Sequence, residues 1–261
     1  MQPTVTRVLI LKAHETGETS EVLHVLSAQH GRLSLYARGL RSPKNRLRGV
    51  LQPLSLVEAT YVLRDGEELA TLRDATEIRA AGALASDLER LSLGLMIAEL
   101  AGALAEPGAP AGPLLEATLH GLESLDPAAP LRPLHAAAIA LFLLLETAGT
   151  EPSIDDALLL PWPANRPRPV MFWLDLENGR LHGTLRQPAG EAAWPLSVPP
   201  DAAHFPVPPS ALRLVHCLQN GTAPPPMDRH QAAQWVEALL RFAEYHLGHG
   251  LKAATFWRQL L

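Results

Sequence analysis

Leu33, Leu35 and Ala37 alternate with Arg32, Ser34, Tyr36 and Arg38 along RLSLYAR, a strict two-residue period that marks a strand with one buried face. Upstream, TRVLILKAH and SEVLHVLSAQ read as two more strands separated by the polar turn ETGET. Downstream, LSLVEATYVL and ELATLRDATEI flank a turn at Arg64-Asp65-Gly66. Five strands of this length, all divided by turns, predict a small closed or nearly closed barrel over residues 1–80.

The period changes from Ala83 onward. LASDLERLSLGLMIAELAGALAE carries apolar residues at helical spacing, with Ser86 as the expected N-cap and Glu89 as its capping-box partner. The PGAPAGP cluster ends that helix, and LLEATLHGLESL and LRPLHAAAIALFLLLETAG follow as two more. The second is apolar nearly all round, which predicts the buried centre of a helical domain. Residues 150–208 are Pro-rich and lack that period; within them VMFWLDLENGRLHGTL predicts a hairpin, with Asn178-Gly179 supplying two positive-φ turn positions. Helix returns in PSALRLVHCLQNG, DRHQAAQWVEALLRFAEYHLGHG and LKAATFWRQLL, segments expected to pack back onto the middle helices. The order is α+β: a barrel over 1–80, then a helical domain over 81–261 interrupted by the insertion at 150–208.

Charge sharpens this picture. The chain is acidic, at a formal net charge of −5, yet residues 1–80 hold 11 Lys and Arg against 9 Asp and Glu, and residues 81–261 hold 11 against 18. No acid lies between Glu21 and Glu58, whereas Arg32, Arg38, Arg41, Lys44, Arg46 and Arg48 all do. Such asymmetry points to a polyanion. A strand face bearing Arg32, Tyr36 and Arg38, continued by a loop bearing Arg41, Lys44, Arg46 and Arg48, offers phosphate contacts and one aromatic platform for a base. Gly39, Pro43 and Gly49 keep the loop from becoming a regular helix.

Catalytic patterns are missing. No G-x-x-x-x-G-K-[ST] or G-x-S-x-G occurs. Cys217 is the only cysteine, which rules out an intramolecular disulfide and a thiolate-rich metal site and fits a small apolar position in a helix. His246 and His249 have a metal-compatible spacing with Glu244 nearby, but they read first as residues that favour a helix C-terminus electrostatically. Asp155 and Asp156 read as caps. No secretory pattern opens the chain, and the apolar stretch Ala136–Leu145 is about half a bilayer crossing, so the expectation is a cytoplasmic protein without membrane association or cofactor.

The first eighty residues resemble the N-terminal region of the bacterial RecO recombination-repair family. The resemblance rests on the opening strand, Glu18-Thr19-Ser20 in the polar turn, the strand end at Ala37-Arg38-Gly39, the basic loop, and Gly49-Val50-Leu51-Gln52-Pro53 after it. LLRFAEYHLGHGLKAATFWRQL is similar to the family's closing helix. The resemblance implies an N-terminal OB-fold β-barrel, a helical domain and a zinc-ribbon-like insertion. It implies a non-enzymatic, nucleoid-associated mediator of DNA repair and recombination that binds single- and double-stranded DNA and anneals complementary strands. It further implies work with RecR and single-strand-binding protein in loading RecA. An apolar groove around Leu141–Leu145 and Trp235–Phe242 is the expected seat of that protein's acidic, aromatic tail.

One departure stands out. Many relatives carry two C-x-x-C pairs flanking the hairpin, and here SIDDALLLPWP and GRLHGTLRQP contain no cysteine. His182 with Asp155 and Asp156 makes a poor tetrahedral set. The insertion is therefore expected to hold its shape without metal, by packing of Met171, Trp173, Leu181 and Leu185. Two other readings share the same charge pattern: an OB-type RNA-binding protein, and a scaffold docking an acidic protein.

Overall fold

The computed structural model describes residues 3–64, 69–154, 171–184 and 203–260. Strands β1 (Thr4–Thr16), β2 (Ser20–Ser27), β3 (Gly31–Ala37), β4 (Leu56–Val62) and β5 (Leu69–Arg79) form a closed barrel in the order β1-β2-β3-β5-β4. All pairings are antiparallel except β3 with β5. Closure removes every free edge, which an open five-stranded sheet would expose. The expected turn at Arg64-Asp65-Gly66 falls partly outside the described residues.

Strand alternation builds the interior from Val8, Ile10, Leu23, Val25, Leu33, Leu35, Ala59 and Tyr61. The RGLRSPKNRLRG segment is also built into this core. Leu40 and Leu51 are buried and Leu47 and Val50 pack beneath the barrel, so four apolar side chains plug its end between the basic ones. A single 3-10 turn at Arg46–Gly49 forms there, capped by Asn45, whose Oδ1 accepts from the Leu47 N–H at 2.9 Å.

Leu9 and Leu26 lie opposite each other on the outer face yet are fully buried, because helices pack over that part of the barrel. These are α1 (Leu88–Leu104) and α2 (Gly112–Ser124). Gly102 permits the approach: a Cβ there would meet Leu11 Cδ1 at 2.6 Å. Helix α1 begins two residues later than Ser86. A 3-10 turn takes up Gly82–Ser86, and Asp87 is the N-cap, accepting from the Arg90 N–H at 3.1 Å. The C-terminal α6 (Lys252–Arg258) packs on α1, where the Glu99 carboxylate accepts from the backbone N–H groups of Lys252 and Ala253 at its first turn. Residues 1–133 and 251–261 make one compact unit.

Residues 134–250 make the second. It holds α3 (Pro133–Thr147, from its second residue), α4 (Pro209–Gln219), α5 (Arg229–Leu247) and a sheet ordered β6-β8-β7-β9. Its strands are β6 (Ser153–Ile154), β7 (Met171–Asp175), β8 (Arg180–Thr184) and β9 (His204–Val207). The expected hairpin is β7–β8, but its turn differs from a two-residue one. Among its described residues only Gly179 has positive φ, and the Asp175 carboxylate accepts from the N–H groups of Glu177 and Asn178 to hold a four-residue loop. Alternation also pairs Leu181 with Leu174, both buried, and puts Trp173 on the opposite face beside His182. Leu185 lies outside the described residues. Leu141, Phe142, Leu144 and Leu145, with Trp235, Leu239 and Phe242, are buried core and leave no open groove at those positions.

Candidate nucleic-acid interface

The outer face of β1–β3 carries the expected cations and adds others. Register places Lys12 opposite His24 and His24 opposite Ser34, while Val22 faces Tyr36 and Leu26 faces Arg32. A bulge between Ile10 and Lys12 turns β1 from its helix-covered half to its exposed half. Beyond that bulge Lys12, His14, His24, Arg32, Ser34 and Tyr36 share one surface. The His24 Nδ1 lies 3.1 Å from Ser34 Oγ, and its ring meets His14 edge-on at 5.2 Å between centroids. Burial, and then the charges of Lys12, His14 and Arg32, lower the His24 pKa below 6.5.

The seven residues expected at the interface fall into distinct settings. Arg32, Arg38, Lys44 and Arg48 are exposed, and no ion pair engages them among the described residues. Tyr36 is half-buried on β3, its hydroxyl donating to Ser20 Oγ at 3.1 Å, which fixes the ring at the end of the strand face. Arg46 extends into solvent but pairs with Asp74 on β5 at 2.6 Å. Arg41 turns inward. Its Nη2 donates to the carbonyls of Gly17 and Glu18 at 3.0 and 2.7 Å, and its Nη1 pairs with Glu15 at 2.5 Å. This guanidinium brackets the β1–β2 turn onto the loop rather than facing outward.

Lys12, His14, His24 and Arg73 are the cationic or titratable residues that reasoning from one strand at a time leaves out. Alternation alone puts His24 outward, but with Val8 and Ile10 inward it would turn Lys12 and His14 inward; the bulge after Ile10 brings them out, and their convergence with Arg32 needs the register between strands. Arg73 is extra to the ladder, because β5 pairs Leu72 with Tyr61 and Asp74 with Thr60.

Among the insertion's described residues the candidate donors do not suit a structural metal; Asp155 and Asp156 lie outside the described residues. His182 and His204 Nε2 lie 4.0 and 3.8 Å from Asp175 Oδ2, but that oxygen already accepts from Asn178 Nδ2 at 2.5 Å, and its partner oxygen caps the turn. Among the described residues no group of three His, Cys, Asp or Glu is arranged to hold a metal ion. His246 instead packs against Phe242, with ring centroids 4.5 Å apart. No described helix is long and apolar enough to cross a membrane.

Comparison with known proteins bears on this interface. Residues 1–81 match the family model described as Recombination protein O N terminal, and residues 85–158 match Recombination protein O C terminal. A DNA repair protein RecO from Anaeromyxobacter dehalogenans (strain 2CP-C) is 33% identical over 250 residues, covering 95% of this chain and 93% of its own. One from Anaeromyxobacter sp. (strain Fw109-5) is 30% identical over 254 residues, with the same coverage. Another, from Xanthomonas campestris pv. campestris (strain B100), is 42% identical over 111 residues, covering 42% of this chain and 44% of its own.

Proposed function

Because the chain belongs to the RecO family of DNA repair proteins, we propose that its barrel binds single- and double-stranded DNA and promotes annealing of complementary strands. The observation that carries the reading is the set of exposed cations Lys12, Arg32, Arg38, Lys44 and Arg48 on a closed five-stranded barrel. OB-type barrels bind oligonucleotides on the face of their second and third strands. Here those strands carry Arg32 and Tyr36. Arginine and lysine contacts to phosphates release counterions and are indifferent to sequence. Tyr36 supplies the flat surface on which a base stacks.

Annealing follows from the same chemistry. Two complementary strands repel through their phosphates, and a face that neutralises several phosphates lets two strands approach without reading either sequence. The step needs no nucleotide hydrolysis, and the chain has no P-loop to perform it. The protein acts as a mediator rather than an enzyme. With RecR it promotes RecA loading on DNA covered by single-strand-binding protein, in the cytoplasm and at the nucleoid. Arg32, Tyr36, Arg38, Lys44, Arg46 and Arg48 form the interface, and Arg41 positions the loop that carries four of them.

Annealing of two complementary labelled oligonucleotides, followed by energy transfer without nucleotide, tests the proposal. Acceleration by the wild-type protein and its loss in Arg32→Ala/Lys44→Ala/Arg48→Ala supports it. Unchanged annealing by the folded triple variant contradicts it. Tighter binding of an RNA strand than of the matching DNA strand would assign the face to RNA instead.

A further inference from the structure

Below the strand face, Ala37, Arg38, Leu40, Asn45, Arg46, Leu47, Leu72, Arg73 and Asp74 enclose a depression of about 320 Å³. Among its lining residues Leu40 is buried, and Leu47 of the plug and Leu72 of β5 are half-buried against the core. Three arginines and one aspartate form its rim. The rim is placed by backbone irregularities. Arg38 follows the last residue of β3, Arg46 opens the 3-10 turn, and Arg73 is the bulged residue of β5. A bulge sends a side chain off the regular pleat, a device often found beside binding sites.

A mostly polar, cationic lining with two half-buried leucines in it suits a ligand with a small flat uncharged part and an anionic part. We propose that the depression seats one unstacked nucleotide of a bound single strand, its base over Leu47 and Leu72 and its phosphate on Arg38 and Arg73. Asp74 is the competing anion. It holds Arg46 at 2.6 Å until the phosphate replaces it, while its Oδ1 also accepts from the Ala75 N–H at 2.8 Å. The inference rests on the reading that this barrel binds nucleic acid, and it adds a specific seat for a base. A duplex keeps its bases stacked and cannot fill the seat.

Anisotropy titrations against salt distinguish the cases, using a labelled thymidine oligomer of about 16 nucleotides, the upper end of an OB-fold site, and a blunt duplex of the same length. Asp74→Asn keeps the carbonyl that caps Ala75 and removes the competing charge. It should bind the single strand about two- to fivefold more tightly, the range that releasing an exposed ion pair allows. Arg73→Gln should weaken single-strand binding and flatten its salt slope by about 0.7. Both variants should shift duplex binding less than single-strand binding, since only the single strand can fill the seat. Single-strand affinity unchanged in both, or equal shifts on single strand and duplex, overturns the nucleotide seat while leaving the wider interface standing. Absence of nucleic-acid binding by the wild-type protein overturns both. Should Arg73→Gln not fold, Asp74→Asn alone decides, since unchanged or weaker single-strand binding contradicts the proposal.

Discussion

Replacing Arg41 should damage the fold and spare the electrostatics of binding. Its guanidinium donates to the carbonyls of Gly17 and Glu18 and pairs with Glu15, and its side chain is only 27% exposed. A hydrogen bond from a charged donor contributes about 1.5–3 kcal/mol where it is sheltered. The ion pair adds little, because the Glu15 side chain is 73% exposed and solvent screens it. Part of the gain is offset because Arg41 Nε is buried without a hydrogen-bond partner. The balance for Arg41→Ala is a loss of about 2–3 kcal/mol, a fall in Tm of roughly 4–12 °C for a unit of this size. Thermal and urea unfolding measure that loss, and DNA titrations well below Tm measure the salt slope. The expected result is lowered stability with the wild-type slope. Wild-type stability with a slope flattened by about 0.7, one phosphate contact, would place Arg41 on the DNA and refute the bracket.

DNA affinity should rise as pH falls below about 6.5, because protonation of His24 adds a charge beside Lys12, His14 and Arg32 that a phosphate stabilises; His24→Gln should blunt the rise in titrations at a series of pH values. His135 is buried on α3 with no hydrogen-bond partner at Nε2 among the described residues, and burial lowers its pKa. The unfolded chain therefore takes up that proton first, so the associated stability is complete above about pH 6.5 and is lost as pH falls through the native pKa. Urea unfolding of His135→Leu should show a shallower acid loss than wild type. Gly31 has φ +59°, and a Cβ there would lie 2.1 Å from the Glu106 carbonyl oxygen, so Gly31→Ala should cost at least ~2 kcal/mol in unfolding experiments.

Alternating residues made the barrel legible in sequence, most clearly in β3, where Leu33, Leu35 and Ala37 face in and Arg32, Ser34 and Tyr36 face out. The basic segment was legible only as charge. Leu40, Leu47 and Leu51 are seven and four apart, as on a helix that Gly39, Pro43 and Gly49 prevent, so their role as the barrel's plug emerges only once the barrel exists for them to close. Arg41 and Arg48 are equivalent in sequence; one meets the carbonyls of residues 17 and 18, more than twenty positions away, and the other meets solvent. The bulges that expose Lys12 and Arg73 interrupt pairing between strands and leave no mark in either strand alone. Capping shows the same limit at short range. Ser86 and Asp87 are both good N-caps, and the 3-10 turn over Gly82–Ser86 selects Asp87.

The salt dependence of single-strand DNA binding shows whether the barrel's outward cations hold DNA phosphates. If Arg32, Arg38, Lys44 and Arg48 each contact one phosphate, the slope of log affinity against log salt should be about −3, and Lys44→Ala/Arg48→Ala should reduce it to about −1.4. A double variant that keeps its fold and binds with the wild-type affinity and slope would show that these cations do not touch DNA.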